Sequence, residues 1–170
     1  RSHGASISDA VRHKTRQIIF EEYKVPGYNY RITDMQSAIG IEQLKKLPGI
    51  LKRRKALAER YTKLLGKNRY IKVPYVPEYA EHNWQTYIIR LTPNAPVSRN
   101  DLMSKLLNDG VATRRGVMAC HLEPFYRKNF GQIRLPVTER LARSTICIPI
   151  FPQMTLAQQD YVISRIYKYL

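Results

Sequence analysis

From Met35 to Leu65 the chain carries apolar side chains three or four residues apart, the spacing of one face of an α-helix. Thr33, with Gln36 three residues later, forms a capping box, which marks the start of a helix. Pro48-Gly49 interrupts the spacing, because proline lacks a backbone donor and glycine weakens a helix interior. The pattern predicts a long connecting helix over residues 33–66, either kinked at this point or divided into two helices in line.

A different pattern begins at Trp84, where apolar and polar side chains alternate as they do in a half-buried strand. Helix and strand patterns then follow in turn: strand Trp84–Thr92, a helix from Ser98 to Asp109-Gly110, strand Val111–Arg114, a loop, helix Pro136–Arg143, strand Ile146–Ile148 and a helix capped by Thr155 with Gln158. The expected fold class is α+β. A small C-terminal domain over residues 84–170 is expected to hold a short sheet covered by helices.

The remaining segments show no sustained periodicity. Residues 1–32 end in a Pro-Gly turn followed by two tyrosines, and we expect them to form an arm or loop. Residues 67–83 are rich in proline and tyrosine, which favours an irregular linker between the long helix and the small domain.

Composition narrows the class of protein. A chain of 170 residues can bury one substantial core, but not two full-sized domains. Its apolar fraction of 44% is too high for a disordered polycation. The longest apolar runs fall far short of the roughly 20 residues that span a bilayer, so no membrane partner is expected. Cys120 and Cys147 are too few for a disulfide framework, and we therefore expect a reducing, cytoplasmic location.

The charge balance is strongly basic, with 29 Lys+Arg against 13 Asp+Glu and a net charge of +16. Such a balance is found in many proteins that bind nucleic acid. The basic residues are nevertheless spread along the chain, as is usual for solvated helix faces. We therefore do not expect nucleic acid as a partner, and a non-catalytic basic module that binds it is kept as the alternative.

Residue types and spacing alone reveal no complete catalytic constellation. The four histidines follow no metal-ligand spacing and the glycines form no phosphate loop, so no metal site is expected. Asn29 and Arg31 stand just before the capped helix, where they suit a phosphate or carboxylate. The alternative there is a turn at Asn29 and an ion pair at Arg31. Arg114 and His121 lie in a second basic stretch, for which the alternative is a charged surface loop.

Four blocks of sequence carry a family resemblance. They are Arg1–Gly4 (RSHG), Tyr28–Gly40 (YNYRITDMQSAIG), Thr113–Pro124 (TRRGVMACHLEP) and the stretch from Ile148 to Val162 that begins IPIFPQMT. In this order they resemble the RNHG, YNYRMTDxQAAxG, TRxxxxxxHLxP and LPLFPxMTxxQQxYV motifs of the DegT/DnrJ/EryC1/StrS family of sugar aminotransferases, which use pyridoxal 5′-phosphate (PLP). The similarity covers essentially the whole chain, and the second block is the most specific.

The resemblance implies the C-terminal part of a fold-type I PLP aminotransferase. The complete enzyme is expected to transfer an amino group, from glutamate, to a keto sugar nucleotide in amino-sugar or polysaccharide biosynthesis, and to be a homodimer. In this family the large PLP-binding domain, with its Schiff-base lysine, lies upstream of the RNHG motif. We therefore expect that the 170-residue chain contains no catalytic lysine and is inactive alone.

The same resemblance implies roles for four residues. Asn29 corresponds to the asparagine that reaches the PLP phosphate of the partner subunit, and Arg31 belongs to the same wall and is expected to bind a substrate anion. Arg114 and His121 match the late loop that lines the sugar-nucleotide site. Gly116-Val117 replace a His-Tyr pair frequent in the family, as in perosamine-synthase-like members, which implies a 4-keto-6-deoxy sugar. A PLP-dependent dehydratase on the same scaffold is the alternative.

Overall fold

The computed structural model describes residues 3–7, 9–12, 14, 16–20 and 22–170, with the backbone alone at positions 9 and 10. The chain divides into two compact units, Arg1–Leu47 and Pro48–Leu170. The predicted division into arm, connecting helix, linker and small domain concerns the complete protein, and it stays a prediction.

The secondary structure mixes helices with one antiparallel sheet. The helices of the described residues are α1 Asp9–Arg12, α2 Asp34–Leu65, α3 Arg99–Asn108, α4 Pro124–Phe130, α5 Pro136–Ser144 and α6 Leu156–Tyr169, with a 3₁₀ turn at Cys120–Leu122. The strands are β1 Ile71–Lys72, β2 Tyr87–Leu91, β3 Arg114–Arg115 and β4 Thr145–Ile148. They form a four-stranded sheet in the order β1-β2-β4-β3. The predicted α+β class is confirmed.

Helix α2 is one helix with Pro48 inside it, rather than two helices in line. The capping box at its start is formed, because Thr33 Oγ1 accepts the Gln36 N–H at 3.3 Å and the Gln36 side chain accepts the Thr33 N–H at 3.0 Å. The predicted box at α6 is also formed, between Thr155 and Gln158. Both helix starts were therefore readable from residue spacing.

The core of the second unit lies among the sheet, the second half of α2, α3 and α6. Tyr87, Ile89 and Leu91 of β2 are buried, as their alternation predicted. Tyr61 of α2 packs on Tyr87 with ring centroids 5.1 Å apart, and its hydroxyl donates to the Pro149 carbonyl at 2.9 Å. Burial raises the pKa of both tyrosines, that of Tyr87 to about 12.

The predicted strand Val111–Arg114 is wrong at its start, since β3 begins only at Arg114. The reason is the end of α3, where Gly110 has a φ of +76°. The N–H of Gly110 bonds to Leu107 O at 2.9 Å, and the N–H of Val111 bonds to Leu106 O at 2.8 Å. This is the Schellman arrangement. Val111 therefore caps a helix with the N–H that a strand would have used.

Three further elements of the second unit were not predicted. Strand β1 lies within the segment expected to be an irregular linker, and it pairs with β2 through Ile71 opposite Leu91. Helix α4 and the 3₁₀ turn lie within the segment expected to be a loop. Strand β1 is too short to show a period. The signal for α4 is Pro124 at the first helical turn, where its fixed φ suits a helix start.

Arginines from the basic run of α2 hold backbone carbonyls of the same unit. Arg54 Nη1 donates to Trp84 O at 2.8 Å and Gln85 O at 3.0 Å, before β2, and lies 3.5 Å from Ile150 O, after β4. Arg53 Nη2 donates to Met154 O at 2.6 Å. The interpretation of this charge as a solvated helix face is therefore wrong for these two residues.

The apolar side chains in the first half of α2 are exposed, whereas those from Leu57 to Leu65 are buried or half-buried. Its apolar stripe includes Met35, Ile39 and Leu44, whose side chains are 79%, 64% and 67% exposed. The apolar stripe that predicted this half of the helix is therefore exposed. An apolar stripe of this kind is typical of a surface that another chain or segment covers.

Replacement of Arg54 by methionine is expected to lower the free energy of unfolding by about 1–3 kcal/mol, because the Trp84 carbonyl loses its donor in a partly buried site. Methionine retains an apolar stem, so packing changes little. Urea unfolding of the 170-residue chain measures the effect. Lys55→Met, at the exposed neighbouring position, is the matched control and should change stability by less than about 0.5 kcal/mol. Equal effects of the two substitutions would show that the carbonyl contacts contribute nothing.

Candidate functional site

In the first unit, the end of the RSHG block lies against the segment that leads into the YNYR block. Ala5 forms an antiparallel bridge with Tyr23, and the His3 N–H donates to Tyr28 O at 3.3 Å. A Cβ at Gly4 would lie 2.1 Å from Val25 O, and one at Gly27 would lie 2.3 Å from Gly4 N. Only glycine fits at both positions. Arg1 and Ser2 of the RSHG block lie outside the described residues.

Asn29 and Arg31 stand on the exposed stretch between this contact and α2. The Oδ1 of Asn29 accepts the Arg31 backbone N–H at 3.3 Å, which is the local turn considered as the alternative from sequence. Tyr28 and Tyr30 stack beside Asn29 with ring centroids 5.6 Å apart. The side-chain oxygen of Asn29 is thus hydrogen-bonded to the backbone. Asn29 itself is exposed and lies five residues before the start of α2.

Arg114 of β3 lines a cavity of about 800 Å³ in the second unit. The cavity is bounded by the turn after α3, the end of β4, the segment after it and the first turns of α6. Its side chains are mainly apolar, with Phe151, Met154 and Tyr161 among them. Cys147 also lines it, as a free thiol whose pKa is raised by burial. This cavity suits a ligand with an apolar body and one anionic group beside Arg114.

His121 belongs to a separate cluster. It is 9% exposed, and its Nε2 lies 3.4 Å from Glu139 Oε1 on α5. Glu139 also accepts the Leu135 N–H at 3.0 Å and lies 3.4 Å from Arg143. The Leu135 N–H, followed by the His121 side chain, lowers the pKa of Glu139. The Glu139 carboxylate therefore contacts both ends of the segment between the 3₁₀ turn and α5, at His121 and at Leu135.

The four residues expected to form the site are distributed over three places. Asn29 and Arg31 lie in the first unit, Arg114 lines the large cavity, and His121 is buried against Glu139 without lining that cavity. Sequence reasoning missed Glu139, which packs from a helix 18 residues away. Its only local signal is Arg143 four residues later on the same helix.

Gly116 shows why the loop between Arg114 and His121 follows its path. A Cβ there would lie 2.6 Å from Ile88 Cγ2 and 2.8 Å from Thr145 Cβ. The Gly116 N–H bonds to Thr145 O at 3.2 Å. The backbone must therefore lie directly on the sheet at this point, and the glycine at position 116 has a packing reason.

The described residues form neither a metal cluster nor a membrane-spanning helix. No group of three or more His, Cys, Asp or Glu side chains there is arranged to hold a metal ion. Within the same residues, none of the helices combines the length and the apolar character needed to traverse a bilayer.

Comparison with solved structures shows the same fold in several aminotransferases. PseC of Helicobacter pylori, an aminotransferase involved in the biosynthesis of pseudoaminic acid, matches 99% of this chain and 43% of its own with a TM-score of 0.83 at 21% identity. DesV of S. venezuelae, solved in complex with a ketimine intermediate, matches 91% and 40% with a TM-score of 0.76 at 27% identity. The PLP form of Spr1654, a putative sugar aminotransferase from Streptococcus pneumoniae, matches 99% and 42% with a TM-score of 0.80 at 22% identity.

The chain thus spans about two fifths of the length of the solved structures that it matches. At the level of sequence, residues 1–167 match the model of the DegT/DnrJ/EryC1/StrS aminotransferase family. That match covers nearly all of the chain and includes every block on which the resemblance rested. The chain therefore belongs to the DegT/DnrJ/EryC1/StrS aminotransferase family.

Proposed function

We propose that this chain forms the C-terminal part of a PLP-dependent enzyme that transfers an amino group from glutamate to a keto sugar nucleotide of the 4-keto-6-deoxy type. The match to the aminotransferase family over residues 1–167 carries the proposal. The catalytic lysine is supplied by a part of the complete protein outside these 170 residues, and the chain is inactive alone.

The residues of the first unit fit the phosphate group of PLP. Asn29 is exposed, and its Oδ1 is held by the Arg31 N–H, so its amide N–H groups are the part of the side chain available to an anion. Phosphate oxygens accept such hydrogen bonds, and the start of α2 favours negative charge nearby. PLP, when bound, supplies the electron-accepting ring through which amino groups are moved between substrates. Arg31 is proposed to bind a substrate carboxylate or phosphate.

The second unit is proposed to bind the sugar nucleotide. Arg114 is the cation of the large cavity and can pair with a phosphate oxygen while the apolar walls contact the rest of the ligand. His121 is buried, so its proposed part is to hold the backbone of the loop through Glu139. The loop thereby keeps a fixed shape beside the strand that carries Arg114.

A homodimer with Asn29 directed to the partner subunit is part of the proposal. It is supported by the exposed apolar side chains of the first unit, which include Tyr28, Tyr30 and Met35. A segment whose apolar side chains are exposed in one chain gains stability when a second surface covers it. Cytoplasmic location is proposed with the same enzyme.

The complete protein, incubated with PLP, ¹⁵N-glutamate and a 4-keto-6-deoxy sugar nucleotide, is expected to release 2-oxoglutarate and to place ¹⁵N on the sugar. Mass spectrometry of both products measures the transfer. A product that has lost oxygen without gaining nitrogen would favour the dehydratase alternative and contradict amino transfer.

The isolated 170-residue chain is the control for the source of the lysine. Borohydride reduction with PLP should label its lysines weakly and without preference. Trapping at one lysine would contradict the claim that the catalytic lysine lies outside this chain.

Asn29→Ala in the complete protein is expected to weaken PLP retention about 10- to 100-fold, since a hydrogen bond to a charged group contributes about 1.5–3 kcal/mol. Equilibrium dialysis of PLP measures the change. Asn94→Ala replaces an exposed asparagine of the second unit and should leave retention unchanged. Equal retention by the Asn29→Ala protein and the parent would remove Asn29 from the phosphate site.

A further inference from the structure

A second cavity, of about 420 Å³, lies in the second unit where β2 ends, α3 begins and α5 ends. Four arginines line it: Arg90 from β2, Arg99 from α3, and Arg140 and Arg143 from α5. No aspartate or glutamate lines it. Cavities of this size are within the range that holds small molecules. The site is separate from the cavity of Arg114, with which it shares no lining residue.

The charges of these arginines are poorly balanced by the protein. Arg143 lies 3.4 Å from Glu139, a carboxylate already engaged with His121. Arg90, Arg99 and Arg140 form no ion pair with a carboxylate in the part of the chain that the structure describes. Guanidinium groups gathered without counter-charges repel one another, and an anion between them relieves that repulsion.

Arg99 is the most constrained of the four. Its Nη1 donates to the Thr145 carbonyl at 3.4 Å, and its Nε is buried without a hydrogen-bond partner among the described residues. Burial, followed by the charge of Arg115, lowers the pKa of Arg99. A guanidinium that is partly desolvated and has no carboxylate partner is stabilised by an anion bound nearby.

The local backbone also favours an anion. Helix α3 begins at Arg99 and runs for 10 residues, so its amide dipoles place partial positive charge at the same end of the cavity. Ser98 caps the helix by accepting the Asp101 N–H at 3.1 Å. Asp101, the acid of this first turn, accepts from the Ser98 hydroxyl at 2.7 Å and does not line the cavity.

We propose that this cavity is a binding site for a phosphorylated small molecule, recognised through its phosphate oxygens by Arg99, Arg90 and the two arginines of α5. A phosphate group offers several oxygens in different directions, and guanidinium groups bind such oxygens in pairs of parallel hydrogen bonds. A carboxylate, with two oxygens in one plane, would satisfy fewer of the four side chains. The site requires neither PLP nor amino transfer, so it can hold or fail independently of the proposed function.

Isothermal titration of the 170-residue chain with inorganic pyrophosphate, at constant ionic strength near physiological, tests the site. Saturable binding at one site per chain is expected. Arg99→Gln should weaken it at least tenfold, since a charge-assisted hydrogen bond is lost. Arg140→Gln, at an exposed position where folding is not at risk, should weaken it in the same direction.

Arg127→Gln is the matched control, because it removes the same charge from α4, outside the cavity. It should change pyrophosphate affinity less than twofold. Equal weakening by Arg127→Gln, or no saturable binding at millimolar pyrophosphate, would overturn the proposal. So would a single-stranded oligonucleotide that displaces pyrophosphate and binds with a steep salt dependence, since that result would identify an extended polyanion surface.

Discussion

The structure of the second unit depends on hydrogen-bond donors for the backbone carbonyls at one end of its central strands, β2 and β4. Trp84 and Gln85 precede β2, Ile150 follows β4, and their carbonyls converge on Arg54 of α2. Strand β2 pairs with β4, so both segments meet at the same end of the sheet. A partly buried carbonyl left without a donor costs about 1–3 kcal/mol. The guanidinium therefore joins α2 to the sheet as a hydrogen-bonding group, and the apolar packing of Tyr61 on Tyr87 completes the same junction.

This junction positions the candidate site of the second unit. Strand β4 pairs with β3 through Cys147 opposite Arg114, which places that arginine beside the large cavity. Gly116, two residues after Arg114, must pack its backbone directly against Thr145 and Ile88. The loop then continues to His121, whose side chain lies beside Glu139 of α5. The first unit is different, because the stripe of Met35, Ile39 and Leu44 is exposed.

Features with local causes were readable from the sequence. The capping boxes at Thr33 and Thr155 each need residues only three positions apart, and the alternation in β2 needs only five. Features with distant causes were not. In the sequence, Arg54 is one member of a basic run. Its acceptors, the carbonyls of Trp84 and Ile150, lie 30 and 96 positions away along the chain. Arg54 and Lys55 are adjacent cations with opposite surroundings, which no periodicity distinguishes.

The candidate sites divide in the same way. Asn29 and Arg31 were found through a specific motif, and their local turn agrees with one of the interpretations made from residue types. Glu139 and the arginines of the smaller cavity carried no motif, because strand pairing and helix packing bring them together. Part of the net charge of +16 is thereby assigned to backbone carbonyls and to a cavity.

The central claim is that the second half of α2 and the sheet form one cooperative unit. Native-state amide hydrogen exchange of the 170-residue chain tests it most directly. Amides in Leu57–Leu65, Tyr87–Leu91 and Thr145–Ile148 should share one free energy of opening, equal to that of global unfolding. Exchange of the α2 amides at a clearly lower free energy, with the sheet still protected, would contradict the account.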